Sequence, residues 1–159
     1  MKKILAIILC LATVLSLCAC TSLKKYTFGG FSVKLPKTFV PTEDTPYAAH
    51  LRDGDVFVWA IKDDFVNLSG SELWSEEEYA NTLYQLNESK NPTPVTKEKG
   101  VIYFEYNAFS EAKQKTFTYF TTMYKANDAF YMVQFVCEDA EYESYKPKFI
   151  EWAKTVDVK

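Results

Sequence analysis

The apolar positions of this chain fall into two regimes. Lys2 and Lys3 are followed by an uncharged run from Ile4 to Leu17, and from Tyr26 onward apolar residues either alternate or recur at helical spacing. Phe31, Val33 and Leu35 alternate with polar neighbours, and Gly29-Gly30 supplies a two-residue turn, so Tyr26 to Pro36 predicts a hairpin closed by Pro36. A Pro-containing loop through Pro41 and Pro46 leads to a strand over Tyr47 to Leu51, a turn at Asp53-Gly54 and a strand over Asp55 to Lys62. That last strand carries Val56, Val58 and Ala60 on one face and Phe57, Trp59 and Ile61 on the other, which predicts a central strand covered on both sides.

A helix is predicted from Ser75, where Ser75 and Glu78 have capping-box spacing and Trp74 and Tyr79 can form a hydrophobic staple. Tyr79, Leu83 and Leu86 share its inner face, and it stops before Asn91-Pro92. Three β-rich runs follow, Val101 to Tyr106, Thr116 to Lys125 and Ala129 to Cys137, the last two joined by a tight turn at Asn127-Asp128. A second helix over about Ser144 to Thr155 directs Tyr145, Phe149 and Trp152 inward, with Ser144 as its cap and Pro147 in its first turn. The order of elements predicts an α+β fold: a central antiparallel sheet of about six to seven strands with helices packed on its faces.

The first regime is a different object. A charged start, a short apolar run and small residues at the exit have the form of a secretory leader. Its uncharged run would make a helix of roughly 21 Å, short of the roughly 30 Å of hydrocarbon that a spanning helix crosses. Leu17-Cys18-Ala19-Cys20 resembles the lipobox of bacterial lipoproteins, with Cys18 standing where Ala or Ser is commoner. The resemblance implies a signal peptide over residues 1–19, lipidation of Cys20, a short tether over 20–25 and a single domain over 26–159, lipid-anchored on the extracytoplasmic face of the cell membrane. Two or more acyl chains anchor stably, whereas one holds only marginally.

Cysteine usage fits that division. Cys10 and Cys18 would leave with the leader and Cys20 would be blocked, so Cys137 remains alone and no internal disulfide staples the domain. Cys137 is in register with Tyr131, Val133 and Phe135, as expected of a small buried hydrophobe. Without Lys2 and Lys3 there are 16 basic residues against 21 acidic, and no basic stripe beyond Lys24-Lys25, which argues against nucleic acid as a partner.

Candidate chemistry is sparse. His50 is the only histidine, which excludes paired-His metal motifs, and no Gly-x-Ser-x-Gly elbow accompanies it. Asp53/Asp55, Asp63/Asp64 and Glu76 to Glu78 are accounted for by a turn, a strand end and the first turn of a helix. Most of the 26 aromatic residues fall on strand alternations or inner helix faces, where core packing accounts for them. No catalytic, metal-binding or cofactor-binding residue is assigned, and no cofactor is expected.

Gly30-Phe31-Ser32-Val33-Lys34-Leu35-Pro36 and Asn127-Asp128-Ala129-Phe130-Tyr131-Met132-Val133-Gln134-Phe135 running into Tyr145 to Val156 resemble the PsbP-like fold. That fold is shared by the extrinsic photosystem subunit and small Ran-binding import proteins, and small lipoproteins of Gram-positive gut bacteria often carry it. The resemblance implies a non-enzymatic module that binds or assembles with another protein, here one of the envelope. A rival is a small-ligand or metal-binding receptor, for which groups such as Asp53 and Asp55 must converge in a cleft. A further rival is a hydrolase using His50. A pocket of convergent polar groups favours the rivals, and a broad exposed aromatic patch favours a protein partner.

Overall fold

The computed structural model describes residues 22–43, 46–68 and 70–159. The expected leader over 1–19 and the expected lipidation site Cys20 therefore lie outside the described residues. The described residues form ten strands: β1 (Leu23–Phe28), β2 (Phe31–Pro36), β3 (Val40–Pro41), β4 (Ala49–Asp53), β5 (Val56–Asp64), β6 (Thr96–Glu98), β7 (Val101–Ser110), β8 (Lys115–Lys125), β9 (Ala129–Glu138) and β10 (Asp157–Val158). They also form two α-helices, α1 (Glu76–Leu86) and α2 (Tyr142–Ala153). Leu23 to Lys25, expected as tether, instead pair with Pro36, Leu35 and Lys34 as the first half of β1.

The strands form an antiparallel seven-stranded sheet in the order β3-β4-β5-β9-β8-β7-β6 and a separate three-stranded sheet in the order β1-β2-β10. The α+β architecture matches the expectation. The long strands β7, β8 and β9 run past their expected ends because tertiary pairing extends them: Asn107 and Ala108, poor strand formers, pair with Thr118 and Phe117. β3, β6 and β10 are too short to leave a periodic signal and depend on their neighbours for existence. In the first hairpin Gly29 takes a positive φ of 51°, and a Cβ on Gly30 would lie 2.8 Å from the Tyr131 hydroxyl.

The main core lies between one face of the large sheet, the small sheet and α2. Phe149 is fully buried at its centre, its ring 6.1 Å from Phe120, 5.7 Å from Phe135 and 5.7 Å from Trp152. Trp152 reaches on to Phe39 in an edge-to-face contact at 5.5 Å, and the Tyr124 hydroxyl donates to the Ala153 carbonyl at 2.8 Å. A short 3₁₀ turn at Asp139–Glu141 starts α2 two residues earlier than expected, because Tyr142 is drawn into the core. Ser144 is thus not the cap. Its hydroxyl donates to the Glu141 carbonyl, and Pro147 falls inside the helix rather than in its first turn.

A second, smaller core lies on the opposite face, where α1 covers β7 and β8. Tyr79 stacks on Phe130 at 4.3 Å, and Ala80, Phe104 and Met123 are buried with them. The capping box forms as expected: the Ser75 hydroxyl accepts from the Glu78 N–H, and the Glu78 carboxylate accepts from the Ser75 N–H. Leu86 does not face inward; it is 75% exposed, and the helix buries its early turns through Tyr79 and Ala80.

Phe149→Ala is expected to cost about 3–5 kcal/mol of unfolding free energy in urea denaturation, and Ser75→Ala about 1 kcal/mol. Burial pushes the Cys137 thiol up to about 12, so in the native protein at pH 8 it should resist alkylation until denaturant is added.

Candidate functional site: an open aromatic half of the sheet

Because side chains alternate along a strand, the residues that oppose α2 leave a second set pointing to the α1 side. Register places that set in rows across the sheet. One row reads Arg52, Phe57, Val136, Tyr119, Tyr106, and the next reads His50, Trp59, Gln134, Thr121, Phe104. α1 lies over β7 and β8 and touches the ends of β5 and β9 through Tyr79, and among the described residues no helix lies over β4 and the rest of β5 and β9. Here the structure corrects the expectation for β5. Val56, Val58 and Ala60 are buried in the main core, whereas Phe57, Trp59 and Ile61 are only half-buried, with no helix among the described residues lying over Phe57 and Trp59.

The open strip is almost wholly aromatic. Tyr47 stacks on Trp59 at 5.6 Å and 11°, and Tyr106 stacks on Tyr119 at 4.8 Å and 6°. Trp59 lies 5.9 Å from Tyr119 and 6.1 Å from Phe57, and Phe57 meets Phe117 edge-on at 6.2 Å. One polar residue organises these rings. Gln134 is 6% exposed, and its carbonyl accepts from the Trp59 indole N–H while its amide donates to Tyr106 Oη at 2.9 Å and Thr121 Oγ1 at 3.0 Å. The indole can only donate, which fixes the orientation of the amide and spends the one donor of Trp59 inward.

His50 sits in this strip, 5.8 Å from both Tyr47 and Trp59. Both of its ring nitrogens are shielded and have no hydrogen-bond partner among the described residues. Burial, and secondarily the positive charge of Arg52, hold its pKa below the ordinary value, so the imidazole is neutral at pH 7. A triad needs a hydroxyl and a carboxylate on the imidazole, and His50 hydrogen-bonds to neither among the described residues.

The acidic pairs separate rather than converge. Asp53 accepts from Thr38 at 2.6 Å on the main-core side, while Asp55 pairs with Lys113 and, at 3.5 Å, with Lys115 beside the aromatic strip. Asp63 accepts from the Tyr79 hydroxyl, and Asp64 pairs with Lys62 at 2.8 Å. Glu76 accepts from the Lys125 N–H at 3.0 Å and Glu78 belongs to the capping box. Among the described residues no group of three or more His, Cys, Asp or Glu side chains is placed to hold a metal ion.

Several concavities lie among the described residues, one of about 340 Å³ being lined by Pro36, Phe39, Asp53, Tyr145 and Trp152 on the α2 side. A polar cleft of about 600 Å³ lies at the β7 edge around Glu105, Asn107, Thr118 and Asp139. Several of its groups pair with one another: Thr118 donates to Asp139 at 2.7 Å, Asn107 donates to Asp139 at 3.1 Å, and Lys146 pairs with Glu105 at 2.7 Å, whereas the buried Tyr142 hydroxyl has no hydrogen-bond partner among the described residues. A smaller cavity of about 170 Å³ opens within the aromatic strip, walled by Phe57, Trp59, Phe117, Tyr119 and Val136, with Ser110 and Lys113 at its rim.

The architecture has solved counterparts. The solution structure of cyanobacterial PsbP (CyanoP) from Synechocystis sp. PCC 6803 superposes with a TM-score of 0.55 over 87% of this chain and 94% of that one, at 12% identity. The fold is PsbP-like. A crystal structure from Bacteroides thetaiotaomicron VPI-5482 matches with a TM-score of 0.53 at 14% identity, over 86% of this chain but 48% of that one. Comparison of the sequence with protein-family models and with curated proteins gives no match. At these identities the likeness is one of fold alone and transfers no site residue to this chain.

Sequence reasoning found the residues of the strip but assigned them to packing. Alternation told which face each ring occupies; nothing local tells that α1 covers only part of that face.

Gln134→Leu is expected to leave the chain folded, to release Trp59 and Tyr106, and to shift the Trp emission spectrum relative to the native protein. His50 makes a pH-dependent contribution of definite sign. Its folded pKa lies below the unfolded one, so its contribution is complete above the unfolded value of about 6.5 and is lost as pH falls below it. The loss of stability between pH 7 and pH 5, measured by urea denaturation, should therefore be smaller in His50→Gln than in the native chain.

Proposed function

We propose that this protein is a lipoprotein, anchored through Cys20 on the extracytoplasmic face of the cell membrane, that acts without catalysis as an interaction or assembly module for another envelope protein. The observation that carries the binding part of this reading is the open aromatic half of the sheet. A contiguous set of rings held in place by a buried amide, and left without a covering helix, is the composition of a protein-binding patch, which is enriched in Tyr, Trp and Phe. In the β7-edge cleft Asn107, Thr118, Asp139, Glu105 and Lys146 are paired with one another, which leaves fewer polar groups there for a ligand. The PsbP-like fold is compatible with such a module and assigns no residue to it.

The anchoring part of the reading rests on the leader and on Leu17-Cys18-Ala19-Cys20. Only Thr21 and Ser22 separate Cys20 from β1, so acylation there sets the three-stranded sheet directly against the bilayer surface.

Two measurements test the reading. Intact-mass analysis of the membrane fraction should give a chain that begins at Cys20 and carries acyl mass; a different start, or none of that mass, refutes the anchor. A photo-crosslinking residue at position 47, on the rim of the strip, should capture a specific envelope protein in cells, and one at position 109, exposed on the opposite face, should not. Equal capture from both positions, or loss of the cellular function in a folded His50→Ala variant through loss of a chemical turnover, would overturn it.

A further inference from the structure

We infer that the 170 Å³ cavity of the aromatic strip is the anchor point of that interface and receives one aromatic side chain from an acidic segment of the partner protein. This rests on the interaction reading and deepens it. Size comes first. A cavity near 150 Å³ holds a benzene ring, whereas small-molecule sites generally run from about 300 Å³ upward, so the space in this strip fits a side chain better than a free metabolite.

Chemistry narrows the occupant further. Phe57, Trp59, Phe117 and Tyr119 offer ring faces and edges to an aromatic guest. They do not offer hydrogen bonds in the number a sugar requires. The Trp59 indole N–H is already committed to Gln134 and the Lys113 ammonium to Asp55, which leaves the hydroxyls of Tyr119 and Ser110. A glycan would leave most of its own hydroxyls unpaired on desolvation, a cost that an aromatic side chain does not carry.

Charge selects the flanks. Beside the cavity, Lys113 and Lys115 are balanced by Asp55 and Glu138. Arg52, the register partner of Phe57, is exposed and makes no ion pair among the described residues. Arg52 thus leaves an unpaired positive charge, among the described residues, beside Phe57 on a chain whose formal net charge is −3, and it steers an acidic segment to this face.

The test uses the full chain reconstituted in nanodiscs and three labelled heptapeptides: one with a central Trp flanked by Glu, the same peptide with Ala for Trp, and the Trp peptide flanked by Lys. Fluorescence anisotropy should show the Glu-flanked Trp peptide binding about tenfold more tightly than either of the others, the ratio expected of one hot-spot contact. Arg52→Glu should abolish the preference for Glu over Lys flanks, and Phe57→Ala, whose side chain points away from the main core, should abolish the preference for Trp over Ala. Circular dichroism of both variants should match that of the native chain. Equal binding of the Trp and Ala peptides, a preference for Lys flanks, or tighter binding of an N-acetylglucosamine hexamer than of the Glu-flanked Trp peptide would overturn the inference. Crosslinking from position 47 separates the two levels: specific capture that persists in both variants overturns this inference and leaves the interaction reading standing, whereas absence of specific capture in the native chain overturns the interaction reading itself.

Discussion

The packing of α2 against the large sheet, centred on Phe149, is the interaction on which the remainder of the molecule depends. Phe149 closes on Phe120 and Phe135, and Trp152 one turn later carries the contact to Phe39. Immediately after the helix, β10 pairs with β2, so the same segment that seals the main core also draws the small sheet onto it. The Lys34 N–H donates to Thr155 Oγ1 at 2.9 Å at this junction. Full burial of a Phe-sized side chain contributes about 1.5–3 kcal/mol, and α2 buries Tyr142, Phe149, Ile150 and Trp152. With no disulfide within the described part of the domain, this apolar contact has no covalent substitute.

Its consequence for the other face is indirect. One side of the sheet is covered by α2, and on the far side α1 provides partial cover over β7 and β8. Tyr79 on Phe130 is the centre of that second contact. The residues of β4 and β5 beyond its reach are then free to stay half-exposed, and Gln134 keeps them ordered by spending a buried amide on Trp59, Tyr106 and Thr121 rather than on water.

Much of this was legible in the sequence, for identifiable reasons. The capping box at Ser75, the turn at Asn127-Asp128 and the alternation of Phe31, Val33 and Leu35 are local signals, and the structure follows them. Ser144 and Leu86 misled because a cap and an inner face are decided by what the helix meets: the buried ring of Tyr142 pulls the start of α2 forward, and the sheet gives Leu86 nothing to pack on. β3, β6 and β10 are two or three residues long and have no period to read. The site was half legible. Every ring in it was visible as a strand residue, but whether Phe57 and Trp59 are packed or presented depends on how far α1 extends over a face defined by strands distant in sequence.

The alternation along β5 has one more consequence. Val58 and Ala60 hold the fold from below while Phe57 and Trp59 form the surface above, so adjacent positions in a single strand serve different ends. A sheet arranged in this way can change what it recognises without renegotiating how it folds. Substitutions at Phe57 and Trp59 alter the face above while Val58 and Ala60 keep their contacts below.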